Sequence, residues 1–395
     1  MKAQTAFAAA FIAALFLPPL LLDRTSVVSQ KENRNLAQRP AIIAEGGGIN
    51  RNYFSQLDAW LGDRFGLREP LVALDSVVKN RLKSKYALTD RALEGKDGWI
   101  FLIDKNNGNL LPDFCKLNLL DENAILNIES NVHKTIEWCT NNGIKVLYLI
   151  APNKHSVYTE YYPFDRPEGI TRADQIVAAI SRAGADCLFP RDLLFSKKAV
   201  APFRMYFKVD SHWNALGAYY ASEVICERIK SLFPNTHFPK ISYCIGINDF
   251  SSVEGDLNPL LNKPDMEETG YVTVAPKGMN GAPYTSLPIR TSIKNHFEPT
   301  DAAFSEWYEY IDYSSFYEIA SIYTRNKNAN LPRALVFRDS FFRALEPFVS
   351  PLFSEVNYVW KDFTDADKEQ ILKYKPDIVI FERVERYAPN LGLVR

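Results

Sequence analysis

The chain has almost no net charge. Its 46 Lys and Arg stand against 47 Asp and Glu, leaving −1 at pH 7 and a pI near 6.6. No global basic field points to nucleic acid, and none would draw the protein broadly to an anionic membrane surface. A glycine-rich phosphate loop is missing, as is any metal signature, so no cofactor is expected. Cysteine is scarce: Cys115, Cys139, Cys187, Cys226 and Cys244 are all there is. No two form a Cys-x-x-Cys pair and no histidine sits at ligand spacing from them, which argues against zinc. Internal repeats are absent as well.

Bulk is what the chain does have. With 395 residues, 47% hydrophobic and 24% charged, it can bury a sizeable core in one long domain or two. The 20 Tyr, 25 Phe and 6 Trp suit either large cores or carbohydrate-stacking platforms; composition favours the cores. Cys139, Cys187 and Cys226 fall on apolar helix or strand patterns and read as small core residues. Cys115 and Cys244 fall in loop-like sequence, which suits a disulfide in an oxidising compartment; the odd count leaves that pairing open.

A single long apolar run covers residues 6–22, after Lys2 and before Asp23-Arg24. It is at the short end of a bilayer span, roughly 17–25 residues. Pro18-Pro19 suits a cleaved signal, whereas the missing small-x-small cleavage site suits an uncleaved anchor. Either way the rest is expected to be exported. The expected division is an anchor over 1–23, a linker and helical lead-in over 24–115, and a catalytic domain over 116–395.

Helical periodicity runs through residues 52–85 with interruptions near Gly66 and Pro70, and Gly95-Lys96-Asp97-Gly98-Trp99-Ile100-Phe101 reads as a turn feeding a strand. Beyond Cys115 the pattern alternates. Helices are expected over 122–141, 171–183, 215–233 and 365–374, with another after Ser340. Strands are expected over 145–151, 186–189, 334–338, 356–360 and 377–381. Such alternation specifies an α/β fold with a parallel sheet covered on both faces. It lapses between about 237 and 331, in Pro, Asn, Gly and Ser-rich sequence, which reads as an insertion long enough to frame a site.

Two stretches carry chemistry. In Lys208-Val209-Asp210-Ser211-His212-Trp213-Asn214 a carboxylate and an imidazole lie two residues apart, so both can reach one face, with Asn214 placed to cap the next helix. In Ala334-Leu335-Val336-Phe337-Arg338-Asp339-Ser340 an apolar strand runs into a serine. Function in parallel sheets sits beyond the carboxyl ends of the strands. There the N–H groups of Ser340 and the residues after it are expected to be free for an oxyanion. His212 would activate the Ser340 hydroxyl and Asp210 would orient His212. The plainer alternatives are an N-cap for Asp339 or Ser340 and a surface histidine for His212. Their joint placement favours catalysis. His133, His237 and His296 read as solvated, while His155 follows a strand end and could line the crevice. Arg343, one turn beyond the serine, is a candidate substrate-binding residue.

Asp210-Ser211-His212-Trp213, the later Asp339-Ser340-Phe341, Glu32-Asn33-Arg34-Asn35-Leu36-Ala37 and the Gly95–Phe101 turn together resemble the alginate O-acetyltransferase family of AlgJ and AlgX type; Gly255-Asp256-Leu257 looks like a further family element. The resemblance runs from about residue 30 to the end. It implies an SGNH-hydrolase-like (flavodoxin-like) domain in the bacterial periplasm, with the Asp-x-His pair ahead of the serine in permuted order. It further implies a Ser340-His212-Asp210 triad that acetylates hydroxyls of an exported polysaccharide, with a membrane-bound O-acyltransferase as acetyl donor. Arg338 replaces the family's glycine before Asp-Ser. The Gly and Asn that complete the usual SGNH oxyanion hole find no clear match; Lys361-Asp362 and Glu382–Arg386 stand at the corresponding strand ends. The short tail after the last strand suggests the membrane-anchored branch without a carbohydrate-binding module. An acetylesterase and a non-catalytic assembly protein are the alternatives.

Overall fold

The computed structural model describes residues 22, 28–29, 34–43, 48–64, 86–253, 255–263, 268–276, 308–312, 322–326 and 328–392. The apolar run at 6–22 lies outside them apart from Leu22, and no helix among the described residues is long and apolar enough to cross a membrane. The chain divides into two compact units, Met1–Thr89 with Pro259–Pro264, and Asp90–Asn258 with Asp265–Arg395. In the first, helix Tyr53–Arg64 is tied to the preceding segment by the Ala37 N–H, which donates to the Asp63 carboxylate at 2.7 Å.

The second unit is built on a seven-stranded sheet. Across the sheet the strands are Cys187–Leu188, Lys145–Ala151, Ile378–Val384, Arg333–Phe337, Glu355–Val359, Ile322–Asn326 and Tyr308–Asp312. The first five pair in parallel. The last two are antiparallel, so the sheet is mixed where an all-parallel one was expected. Both antiparallel strands come from the segment read as an insertion. The same segment supplies the long hairpin Tyr243–Val253 with Glu268–Pro276.

The core strands are apolar on both faces because helices cover both. Along Lys145–Ala151, Leu147 and Leu149 pack on one side with the helix Ala215–Leu232. Tyr148 and Ile150 pack on the other with Glu122–Asn141 and Arg172–Arg182. Ile378 and Ile380 alternate in the same way against Val379 and Phe381. Period two in the strands thus feeds two separate cores. Helix starts follow local chemistry. Asp121 accepts the Ala124 N–H at 2.8 Å, and Thr171 with Asp174 forms a capping box; each such cap is worth about 1 kcal/mol.

The sequence places an α-helix directly after Ser340. The chain instead makes a 3-10 turn, Phe341–Leu345, before the short helix Glu346–Val349. Pro347 and Pro351, in successive short turns, keep a long helix from forming here.

Candidate active site

The segment from Met205 to Asn214 folds as a narrow loop. Tyr206 and Trp213 face each other in an antiparallel bridge, and Asn214 N–H donates to Met205 O at 3.0 Å. Asp210, Ser211 and His212 therefore sit at the tip. Asn214 caps Ala215–Leu232 by accepting the N–H groups of Leu216 and Gly217 at 3.0 and 3.2 Å. Gly217 is obligatory there, since a Cβ would overlap Met205 O.

The turn that carries Ser340 is held separately. Asp339 spends both carboxylate oxygens on backbone: Oδ1 accepts Phe341 N–H at 2.9 Å and Oδ2 accepts Val384 N–H at 2.7 Å. Its own N–H donates to buried Glu382 at 3.0 Å. Of the two residues suited to capping this turn, Asp339 takes the task, so the Ser340 hydroxyl makes no capping bond. The Phe341 N–H is consequently not free for an oxyanion, contrary to expectation. The Ser340 N–H has no partner among the described residues.

The two parts meet through Trp213, whose indole N–H donates to Phe341 O at 2.9 Å. That bond brings His212 Nε2 to 2.7 Å from Ser340 Oγ. On the far side of the ring, His212 Nδ1 lies 2.8 Å from Asp210 Oδ1, which also accepts the His212 backbone N–H at 2.8 Å. Asp210 is fully buried, while the His212 side chain keeps 16% of its surface exposed.

Burial alone would push the His212 pKa down. The Asp210 carboxylate, by charge and hydrogen bond, outweighs burial and holds it above 6.5, with Asp256 adding to the effect. Burial likewise works to raise Asp210, and His212 more than offsets it, so Asp210 stays below the usual carboxylate range. The Asp210 carboxylate thus prevails over burial, the main force opposing it.

Asp256 is the site residue that the sequence did not single out for chemistry; Gly255-Asp256-Leu257 was its only signal. Its N–H donates to Asp210 Oδ2 at 3.1 Å, and its carboxylate accepts Ser211 N–H at 2.7 Å and Ser211 O–H at 2.6 Å. Burial first, then the charge of Asp210, pushes its pKa up to about 6. Gly255 permits this approach, because a Cβ there would overlap the Val209 carbonyl. Asp210, His212 and Asp256 come close enough to surround a cation, yet their acceptor atoms are already committed to one another and to Ser211.

The remaining candidates stand outside the hydrogen-bonded line Ser340–His212–Asp210. Arg343 lies half-buried on the 3-10 turn, where its charge acts on Glu346. Arg338 is buried and directs its guanidinium to Glu346, 3.4 Å away, and over the Trp360 ring. His155 is buried against Phe114 and Tyr162; burial, then Arg166 and Arg386, holds its pKa well below 6.5, so it is a neutral core residue. His133 and His237 are exposed, and His296 lies outside the described residues. The expected Cys115–Cys244 disulfide is not formed, since all five thiols are free. Cys244 is not in a loop but in the strand Tyr243–Val253, opposite Ala275, whose carbonyl its thiol meets at 3.4 Å. Cys115 ends the short helix Leu110–Phe114.

A family model described as an SGNH hydrolase-like domain, acetyltransferase AlgX, matches residues 92–280. The match includes Asp210, His212 and Asp256 and stops short of Ser340. Among curated proteins, a probable alginate O-acetylase AlgJ of Pseudomonas putida is 23% identical over 299 residues, 75% of this chain and 69% of that protein. Among solved structures, the O-acetyltransferase domain of Pseudomonas putida AlgJ has a TM-score of 0.45 at 17% identity, covering 76% of this chain and 92% of that one. Bacillus cereus PatB1 has a TM-score of 0.49 at 18% identity, covering 74% and 95%.

Proposed function

We infer, from a chain that carries an SGNH-hydrolase-like domain related to the AlgJ and AlgX alginate-acetylation proteins, that it is an O-acetyltransferase acting on an exported bacterial polysaccharide, alginate or a similar glycan. The observation that carries this reading is the unbroken line Ser340–His212–Asp210, with steps of 2.7 and 2.8 Å. A serine hydroxyl is a poor nucleophile unless a base takes its proton as it attacks, and a neutral His212 does so at Nε2. Asp210 fixes the tautomer with the proton on Nδ1 and stabilises the imidazolium that forms.

Ser340 Oγ adds to the acetyl carbonyl of the donor while its proton passes to His212. The tetrahedral intermediate collapses, the leaving group departs with that proton, and acetyl-Ser340 remains. An acceptor sugar hydroxyl then attacks, giving its proton to His212, and collapse returns the proton to Ser340 as the acetylated sugar leaves. The Ser340 N–H is one donor for the oxyanion in both halves. Arg343 is retained as a residue that meets the acceptor at the edge of the crevice. The acetyl donor is a membrane-bound O-acyltransferase, and residues 6–22 keep the protein at the inner membrane with its folded part in the periplasm.

The test is to incubate the purified full chain in detergent with p-nitrophenyl acetate, with and without acidic or neutral oligosaccharides, and to follow the products by mass spectrometry. Acetylated oligosaccharide formed faster than free acetate is the expected result. Acetate alone under every acceptor condition would make the protein an esterase. No acetyl release at all would leave a glycan-binding assembly role.

A further inference from the structure

Lys154, just past the strand Lys145–Ala151, is a buried lysine that makes no close ion pair among the described residues. Lys154 is 4% exposed. Its ammonium donates to three carbonyls of the catalytic loop: Phe207 at 3.1 Å, Lys208 at 2.9 Å and Asp210 at 2.7 Å. That uses all three of its donors. The same nitrogen lies 5.7 Å from the Trp99 ring centroid and 5.4 Å from that of Phe101, within cation–π range. Among the described residues no carboxylate is in ion-pair contact with it. A buried ammonium without a close counter-ion is costly; here three carbonyl dipoles and two aromatic faces replace water around it.

We propose that Lys154 is the positioning residue of the triad, a built-in cation that gathers the carbonyls of residues 207, 208 and 210 and so fixes the direction in which Asp210 presents its carboxylate to His212. This rests on the acetyl-transfer reading of the same site. The loop needs such a device. Three carbonyls converging on one point repel each other, and a loop that relaxed their dipoles would swing the side chain of Asp210 off Nδ1. The turn Gly95–Phe101, unexplained by the chemistry so far, completes the device. Ile100 N–H donates to Lys208 O at 2.9 Å beside Lys154, and Trp99 and Phe101 roof the ammonium. Gly95 keeps this turn close, since a Cβ there would overlap Tyr161 O.

The charged groups facing Lys154 are Asp210 on the loop, Asp256 beside it and Glu268 on the strand Glu268–Pro276; the aromatic turn contributes none to it. Burial lowers the Lys154 pKa to about 8 against the pull of those three acids. Above that pH the neutral amine keeps only two donors and no charge, so the loop loses part of its hold and activity declines on the alkaline side.

The experiment compares the full-length wild type with Lys154→Met, Lys154→Arg and Ser340→Ala, measuring kcat and KM for p-nitrophenyl acetate from pH 6 to 10, with unfolding followed by circular dichroism. Lys154→Met is expected to lose at least a hundredfold in kcat with KM changed less than threefold. Lys154→Arg, which stays charged across this range, is expected to recover at least a tenth of wild-type kcat and to lack the decline near pH 8. A folded Lys154→Met within threefold of wild type overturns the proposal, as does a Lys154→Arg profile that still declines at the wild-type pH. If Lys154→Met does not fold, the arginine profile decides alone. Ser340→Ala as active as wild type removes the triad and this proposal together, whereas a dead Ser340→Ala beside an active Lys154→Met removes only Lys154.

Discussion

Asp256 and Asp210 are joined by a backbone N–H to carboxylate hydrogen bond of 3.1 Å across 46 residues of sequence. The bond leaves two carboxyl groups side by side against one imidazole, with Asp256 Oδ2 3.8 Å from His212 Nδ1. Two acids and a base that close titrate as a set, and the set defines how the site responds to pH.

Asp256→Asn keeps an acceptor for the Ser211 N–H and removes the charge. Because Asp256 helps to raise His212, the acid limb of kcat/KM is expected to move to lower pH, with the plateau rate within about tenfold of wild type, a loss under 1.4 kcal/mol. A pH–rate profile identical to wild type would show that Asp256 exerts no field on His212.

The same substitution has a stability consequence of definite sign. Folding raises the Asp256 carboxyl from 3.8 to about 6, so the fold prefers it protonated. Its stabilising contribution is fully present below pH 3.8 and is lost as pH rises through about 6. Asp256→Asn carries no such loss, so its melting temperature relative to wild type is expected to improve between pH 5 and pH 8. Thermal unfolding at the two pH values checks this; a relative fall would mean that ionised Asp256 holds the loop together.

Asp210→Asn acts on the same proton from the other side. His212 lies above 6.5 because Asp210 outweighs burial, and in the proposed mechanism only neutral His212 accepts the serine proton. Activity in the wild type therefore rises with pH through a value above 6.5. Removing the carboxylate is expected to shift that limb down and to cut kcat on the order of 10⁴-fold, as loss of the orienting acid does in serine proteases. A near-normal rate would make Asp210 a turn residue only.

Ser340→Ala is expected to abolish acetyl release and the acetyl-enzyme mass adduct while leaving the melting curve unchanged, since the Ser340 hydroxyl caps nothing. Activity within threefold of wild type would remove it from the mechanism.

Gly255→Ala tests the docking of the Asp256 segment. The added Cβ overlaps the Val209 carbonyl, and backbone there cannot yield without moving the loop that carries Asp210. A loss of about 1–3 kcal/mol, typical of overpacking, is expected in denaturant unfolding, together with a fall in kcat. Wild-type stability and rate would show that the segment is not seated on the loop.

The sequence by itself determined the elements whose signals are local. The strand Lys145–Ala151 and the helix Glu122–Asn141 stand at the expected residues, because period two, period 3.6 and a capping Asp121 are written in neighbouring side chains. The Asp210–His212 spacing and the strand running into Ser340 were readable for the same reason. Pairing was not readable. Ile322–Asn326 joins the sheet antiparallel beside Glu355–Val359, and polar, turn-rich sequence gives no hint of which edge it meets. Neither the separation of Cys115 from any partner nor the choice of Asp339 over Ser340 as the capping acceptor has a local signature. Asp256 and Lys154 lie 46 and 56 residues from Asp210. Only the closing of the chain brings a second carboxylate and a buried ammonium against the loop that carries Asp210 and His212, because burial and charge proximity are properties of space and not of sequence distance.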